Sequence, residues 1–413
     1  MIPWMMIASA WASPVTVEIC GWYDTHFEDA YAGVGDDYLT DNSVDLPSFG
    51  ARLKVTCTSC SPQVVVHHNP LPWNESDACA DVTMDTAETY KVSLSSRAVI
   101  RGNQVNIWTD GDKDTAYAYV VTGVSPTGPA TYDITTNVAD QWNMAAAAGF
   151  AHRRRAGIVD GTGAVFDLMT EDCASGAAGC QSSDGIRIDT VTRDNKYVIA
   201  HEMGHQLWEE AAGVDELNNY DADPGDCYTN WPIGDFHEKN SMEYQAAAAS
   251  EGWASFYAAI AFNEANATSS DCMYRAHNKT DWELEIPTRD ATDNLYEVNC
   301  YFAPEPGESV FSYLDSRCLD TDPGHNRANA WDWTRALWML SDEFTFIQIT
   351  HIWANAGVNT WDSVGDDAWD CGTASCDDQP YARLRETVAT HAAFDAGDLS
   401  YWDGVMAWYG VDR

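Results

Sequence analysis

Basic residues are scarce in this sequence of 413 residues, and lysine is the scarcest of them. Only six lysines occur, and 22 Lys and Arg residues stand against 64 Asp and Glu residues, which gives a formal net charge of −42. Such a surface repels the phosphates of nucleic acids and the headgroups of anionic lipids. The composition therefore disfavours nucleic-acid binding and electrostatic docking to membranes.

Long apolar runs are also absent. No stretch approaches the roughly 20 uninterrupted apolar residues of a membrane-spanning helix, so no membrane span is expected. Nevertheless, 45% of the residues are hydrophobic and 12% are aromatic, which is enough for a substantial core. A folded, acidic, globular protein with two or three domains is expected from this length.

Cysteine, in contrast, is abundant. Twelve cysteines are typical of an exported protein with up to six disulfides, although their spacing does not determine the pairing. Cys57 and Cys60 also have the spacing of half a zinc ribbon, but no second pair at similar spacing follows. Residues 1–12 are mostly apolar or small and end in Ala-Trp-Ala, which predicts a shortened signal peptide and a secreted protein.

The pattern of residues changes near position 138. Residues 13–137 contain short runs of Val, Ile, Thr and Tyr between turn-forming residues, which predicts an antiparallel β-sandwich module. Residues 138–413 predict an α+β domain with a helical C-terminal part, and its strongest helical stretches are Asn195–Ala212 and Ser241–Ala265. The only basic cluster, Arg153-Arg154-Arg155, is expected to be a solvated helix end.

One acidic turn resembles the start of a calcium loop. Asp110, Asp112 and Asp114 alternate, but Thr115 stands where the loop needs glycine and no acid occupies the twelfth position. A solvated turn is the favoured interpretation, and a structural Ca²⁺ ion is the alternative.

The residues most suggestive of chemistry lie in the first strong helix. His201-Glu202-Met203-Gly204-His205 has the pattern HExxH, which places both imidazoles on one face of a helix, one turn apart. Two neutral imidazoles in this arrangement can share a Zn²⁺ ion, and Glu202 would act as the general base for an attacking water. Gly204 is unfavourable in a helix interior by about 1 kcal/mol, so another element is expected to pack closely there.

A catalytic zinc site needs a third protein ligand. Position 211, where a third histidine would follow in the longer version of the motif, is Ala211. Glu251 lies in a helix rich in Ala, Phe and Tyr, which suggests an inward-facing carboxylate that needs a cationic partner. Glu243 is a competing candidate.

These residues resemble a known family. The HExxH motif followed by Ser250-Glu251-Gly252-x-Ala254-x-x-Tyr257 is similar to the gluzincin metallopeptidases of the peptidase-MA-like group. The resemblance covers about residues 139–270 and has some support from Asp332-Trp333-Thr334-Arg335. It implies a zincin-like domain, Glu251 as the third zinc ligand in preference to Glu243, and Glu202 as the general base.

The sequence departs from the family at two points. Ser255 occupies the position where the thermolysin-like branch has an aspartate that orients a histidine ligand, so the hydrogen-bond partner of the histidines is unassigned. The residue that stabilises the oxyanion is also undetermined. Its candidates are Tyr257, Tyr301, His325 and His351.

The leading functional hypothesis is a secreted zinc peptidase that hydrolyses extracellular proteins or peptides. The alternative is a non-catalytic extracellular binding protein, an adhesin or carbohydrate-binding protein, on a degenerate peptidase scaffold. This alternative is motivated by Ser255, which stands in place of the expected aspartate, and by the 18 tryptophans, whose rings could stack on sugars. The tryptophans are scattered along the sequence, however, and this favours core packing. A third possibility is hydrolysis of an amide other than a peptide bond.

Overall fold

The fold consists of two large β-sheets and seven α-helices in the part of the chain that the structure describes. This computed structural model describes residues 13–27, 43–173, 178–182, 184–212, 242–262, 327–341, 343–356, 380–409 and 411. Two of its strands form a small additional ribbon. The mixed α+β class expected from the sequence is confirmed.

The strands are β1 (Pro14–His26), β2 (Ser43–Pro47), β3 (Ala51–Cys57), β4 (Val64–Pro70), β5 (Cys79–Asp85), β6 (Tyr90–Ile100), β7 (Asn103–Trp108), β8 (Ala118–Val124), β9 (Thr131–Thr135), β10 (Val165–Met169), β11 (Gly179–Ser182), β12 (Gly185–Ile188), β13 (Met242–Tyr244) and β14 (Arg327–Asn329). The helices are α1 (Asp140–Arg154), α2 (Lys196–Ala212), α3 (Gln245–Phe262), α4 (Ala330–Leu340), α5 (Phe346–Asn355), α6 (Pro380–Thr390) and α7 (Ala396–Tyr409).

The smaller of the two large sheets has four strands. Its order is β2-β1-β5, and β9 pairs in parallel with β1. A purely antiparallel sandwich was expected for residues 13–137, and this expectation is wrong at the β1–β9 pair. The connection from β1 to β9 runs through several other strands, and so long a connection allows a strand to return in the parallel direction.

The larger sheet has eight strands in the order β11-β12-β10-β7-β6-β3-β4, and β8 pairs with β6. Strand β10 is parallel to both β7 and β12, whereas β11 is antiparallel to β12. The larger sheet therefore contains strands from both sides of residue 138. The segment between β7 and β10 includes α1, and a crossover of this length is what a parallel pair requires.

The alternation of side chains along a strand determines which face of the strand is buried. In β6, Tyr90, Val92 and Leu94 are buried, whereas Lys91 is exposed and the residues between the buried ones are more accessible. Alternation of this kind buries one face of a strand and leaves the other accessible. The buried face of β6 joins that of β3 in the core beneath the larger sheet.

Three disulfides lie in the described residues and link Cys20 to Cys79, Cys57 to Cys60, and Cys173 to Cys180. Disulfide formation is therefore confirmed for half of the cysteines, and the other six lie outside the described residues. The disulfide between Cys57 and Cys60 removes the zinc-ribbon alternative, because sulfurs bonded to each other do not act as thiolate ligands.

Helix α1 joins the sheets to the other helices. It packs against β1, β6 and β7 on one side and against α2 on another. The alanines at its centre, residues 145–148, are buried, and small side chains let neighbouring elements approach closely. Near its start, the ring of Trp142 packs between the rings of Tyr23 and Tyr117, at centroid distances of 5.3 and 5.0 Å.

The basic cluster at the end of α1 is only partly exposed, and two of its arginines bind backbone carbonyls of other elements, which the sequence did not predict. Arg153 donates a hydrogen bond of 2.8 Å to the Trp73 carbonyl, and its guanidinium lies 3.8 Å from the Phe49 ring centroid. Arg154 donates a hydrogen bond of 2.7 Å to the Ala261 carbonyl, near the end of α3. Free carbonyls at the end of a helix are suitable acceptors for such a cation.

Among the residues that the structure describes, no helix has the length and apolarity needed to span a bilayer.

Candidate metal centre

The HExxH residues lie in the middle of α2, as the sequence predicts. The amide of Val198 donates a hydrogen bond of 3.0 Å to the side-chain oxygen of Asn195, immediately before the helix. This contact satisfies one of the free amides at the start of α2. His201, Glu202 and His205 follow within the next turns, and all three are buried.

Helix α3 crosses α2 at Gly204. A Cβ atom at position 204 would lie 2.8 Å from the Cα of Ala254, which is too close for any other residue without movement of a backbone. The indole nitrogen of Trp253 also donates a hydrogen bond of 2.9 Å to the Gly204 carbonyl. The close packing expected at Gly204 is therefore confirmed, and it brings α3 against the face of α2 that carries the histidines.

The packing of α3 on α2 brings three ligand-type side chains together. The Nε2 atoms of His201 and His205 lie 3.3 Å apart. Glu251 approaches both, with one oxygen 3.1 Å from His201 Nε2 and the other 3.5 Å from His205 Nε2. One donor atom from each residue lies within 4.8 Å of the others, and this group could hold a metal ion.

The donor set fits a metal ion chemically. A buried carboxylate needs a cationic partner, and a metal ion held by the carboxylate and the two imidazoles would supply one. Two imidazole nitrogens and one carboxylate, all converging on a single point, form one of the ligand sets known for metal sites with three protein ligands. Glu251 is thus a member of this group, whereas the side chain of Glu243, in β13, lies outside the described part of the structure.

Each histidine also faces a serine hydroxyl through its other ring nitrogen. The Nδ1 of His201 lies 3.4 Å from the Ser255 hydroxyl, and the Nδ1 of His205 lies 3.2 Å from the Ser250 hydroxyl. If these Nδ1 atoms carry the proton and donate it to the hydroxyls, both Nε2 atoms keep their lone pairs for a metal. Ser255 is therefore the hydrogen-bond partner of His201 that the sequence left unassigned.

Tyr197 extends this arrangement by one residue. Its side chain hydrogen-bonds to Ser255, and its ring lies 5.8 Å from that of His201. Burial raises the pKa of Tyr197 well above its usual value, so the hydroxyl keeps its proton. Tyr197 lies four residues before His201 and thus on the same helix face, a spacing that would have revealed it in the sequence. Ser250, beside Glu251, was missed for lack of any such signal.

Glu202 lies against the edge of the larger sheet. A Cβ atom at Gly179, the first residue of β11, would lie 2.7 Å from Glu202 Oε1 and 2.8 Å from its Cδ. Only glycine lets β11 come this close to the carboxylate. The disulfide between Cys173 and Cys180 ties β11 to the segment that follows β10. No local pattern in the sequence identifies Gly179.

No protein-family model matches this chain, and no curated protein matches it.

Among the described candidates for the oxyanion-stabilising residue, Tyr257 and His351 have other ring contacts. Tyr257 is fully buried and packs against Phe346, at a centroid distance of 6.0 Å. His351 stacks on His391 at 5.1 Å, and burial followed by the nearby His391 lowers the pKa of His351. Tyr301 and His325 lie outside the described residues.

The segment Asp332–Arg335 lies in α4, which packs on α3 beside the centre. The hydroxyl of Thr334 donates a hydrogen bond of 3.2 Å to the Gly252 carbonyl, next to Glu251. A Cβ atom at Gly252 would lie 2.8 Å from the Ala330 carbonyl oxygen, so the glycine allows this close contact. The segment therefore supports the position of α3.

Other sets of ligand-type residues do not form a comparable site within the described ranges. Two further groups each contain a glutamate and two cysteines, but those cysteines are joined in disulfides. Asp110 lies in a bend and Asp112 in a turn, as the interpretation of this segment as a turn predicts.

Most of the aromatic residues near the centre belong to the core. The largest fully buried side chains include five tryptophans: Trp142, Trp253, Trp333, Trp353 and Trp402. The ring of Trp353 lies 5.8 Å from that of Trp208 and 5.7 Å from that of Trp253. For these residues, the interpretation as core packing is confirmed.

Proposed function

We propose that this protein is a secreted zinc peptidase that resembles the gluzincins. The observation that carries the proposal is the convergence of His201, His205 and Glu251, with Glu202 on the same helix as the histidines. This combination of a three-residue donor set and an adjacent carboxylate is what metal-dependent hydrolysis requires.

The residues have distinct roles in this proposal. His201, His205 and Glu251 hold the ion, while Ser255 and Ser250 fix the ring orientations of the histidines. Bound zinc would polarise the scissile carbonyl and lower the pKa of water to about 7. Glu202 accepts the proton of the attacking water and is held in position by the close approach of Gly179.

The choice of a peptide substrate rests on β11. This strand is the last in the larger sheet among the described strands, and its first residue contacts Glu202. An extended peptide can add to the open edge of a sheet through main-chain hydrogen bonds. A peptide paired with β11 would lie alongside the carboxylate that serves as the base.

Secretion is supported by the three disulfides in the described residues, because such bonds persist in oxidising compartments.

The test compares a variant of Glu202 with a variant of His205, both in α2. We expect Glu202→Gln to keep stoichiometric zinc and lose hydrolysis of a mixed peptide library by on the order of 1,000-fold or more. His205→Ala should lose both zinc and hydrolysis. Metal content is measured by elemental analysis and cleavage by mass spectrometry, each with and without a chelator. Full activity of the Glu202→Gln variant would rule out this mechanism.

A further inference from the structure

The end of the larger sheet that is formed by β4, β3, β6 and β8 has no acidic residue. None of these four strands contains Asp or Glu, although the chain has 64 acids. The strands contain four cations. All four occupy accessible positions of β3 and β6, which alternate with the buried ones. Arg97 donates hydrogen bonds to Asn106 and Gln104, and the other three are Arg52, Lys54 and Lys91. We name the accessible side of these four strands the cationic face.

The pairing of the strands places these residues side by side. Lys54 is opposite Ser93 of β6 on one side and His68 of β4 on the other. Lys91 is opposite Thr56 of β3, and Thr122 of β8 is its neighbour on the far side. The cations thus have hydroxyl, imidazole and apolar neighbours in the sheet.

The cations are not neutralised within the described part of the chain. Lys54 and Lys91 are exposed and form no ion pair with a described carboxylate, and neither does Arg52. The Nε atom of Arg52 is buried and has no hydrogen-bond partner there. Lys113, in contrast, forms an ion pair of 3.2 Å with Asp167. In a protein with such an excess of acids, three unpaired cations on one face create a local site for anions.

The border of the cationic face adds a second property. Strand β4 is the last of the described strands at this end of the sheet, and the exposed fractions of Val64, Val65 and Val66 are 47%, 47% and 39%. An open strand edge with exposed apolar side chains can pair with another strand. Such edges commonly carry charged residues that prevent pairing, but β4 carries no Asp, Glu, Lys or Arg.

We propose that the cationic face and the edge of β4 together bind an acidic polypeptide segment in an extended conformation. A strand added to β4 would direct every second side chain toward the cationic face. Lys54 would lie two strands away, at about 10 Å, which is within the combined reach of a lysine and a glutamate side chain. The apolar side chains of the segment would face the other side of the sheet, where Val64 lies opposite Cys57.

A second copy of the chain would fit the cationic face and the edge of β4 less well than an acidic segment does. Symmetric pairing of two β4 edges would bring two cationic faces next to each other, and the cations would stay unpaired. An anionic polysaccharide could neutralise the cations but would make no use of the open strand edge.

The experiment measures binding of a fluorescent ten-residue peptide of alternating Glu and Val to the full-length protein by anisotropy, with the peptide's integrity checked by mass spectrometry. We expect saturable binding that weakens with added salt. Binding should weaken roughly tenfold in the double variant Lys54→Gln/Lys91→Gln and stay unchanged in the matched control Lys113→Gln. The same peptide with alternate amides N-methylated should not bind, because it cannot pair with β4.

Three results would overturn the proposal. They are an absence of saturable peptide binding, equal binding of the N-methylated peptide, and saturable binding of heparin without binding of the peptide. The double variant also separates this site from the metal centre, because a peptide paired with β11, at the opposite end of the larger sheet, would not respond to Lys54→Gln/Lys91→Gln.

Discussion

Two regions of this molecule bury histidines, and they do so in different ways. In α1, His152 is fully buried, its Nε2 lies 3.0 Å from the side-chain amide nitrogen of Asn103, and its ring packs against Phe166. Between α2 and α3, His201 and His205 are also buried, but both face the carboxylate of Glu251. The difference lies in the partner and not in the degree of burial.

The partner decides what each region can do. Burial, followed by the positive charge of Arg101, lowers the pKa of His152 to about 3, so its ring is neutral and accepts a hydrogen bond from Asn103. Its role is to connect α1 to β7. At the metal centre, two ring nitrogens and a carboxylate point at one another, an arrangement that favours a cation between them. Buried histidine alone is thus a weak indicator of a metal site.

The largest expected effect concerns the carboxylate of the metal centre. We expect Glu251→Gln to weaken zinc binding by on the order of 1,000-fold, because it removes the only anionic ligand of the three. Competition with a fluorescent chelator measures the affinity. Glu243→Gln is the matched control and should bind zinc as the wild type does. If Glu243→Gln weakened zinc binding and Glu251→Gln did not, the third ligand would be Glu243.

The second prediction concerns His152 and the pH dependence of stability. Between pH 6.5 and about 3 the unfolded chain binds a proton at this residue and the folded chain does not. The free energy of unfolding is therefore reduced as the pH falls through this range, by about 3 kcal/mol between pH 7 and pH 4.

Urea unfolding in the presence of chelator measures this effect. The His152→Gln variant keeps an acceptor for Asn103 but does not titrate, so it should lose about 3 kcal/mol less than the wild type between these pH values. An equal loss in both proteins would show that His152 does not control the acid sensitivity.

The sequence predicted the metal centre better than it predicted the sheets. The residues of HExxH and the helical periodicity around them are local signals, and they predicted α2 as well as His201 and His205, which the structure places in a group that could hold a metal ion. To bring Glu251 to the histidines, α3 must contact α2, which is distant in sequence. The sequence indicated Glu251 only by the apolar residues around it and by the family resemblance. Pairing between distant strands has no such signal, so the parallel pairs β1–β9 and β7–β10 were not predicted.

The lack of a local signal also explains why the contacts of Arg153 and Arg154 and the role of Gly179 were not predicted from the sequence. A cluster of three basic residues resembles a solvated helix end, and only the fold reveals that carbonyls of Trp73 and Ala261 lie within its reach. Gly179 is one of 28 glycines, and its role depends entirely on the approach of Glu202 from another element.

The smallest expected effect concerns the serine beside His201. A carboxylate at this position would accept a stronger hydrogen bond from the ring than the hydroxyl does. We expect Ser255→Asp to strengthen zinc binding roughly tenfold and Ser255→Ala to weaken it by a similar factor. Chelator competition measures both, and unchanged affinity in both variants would show that Ser255 does not orient the ring.

We propose that one metal ion is held between α2 and α3. The most direct measurement is an anomalous difference map at the zinc absorption edge, from crystals of the purified protein supplied with zinc. We predict one strong peak in contact with His201, His205 and Glu251. A map with no peak at this position, or with zinc bound only elsewhere, would contradict the account.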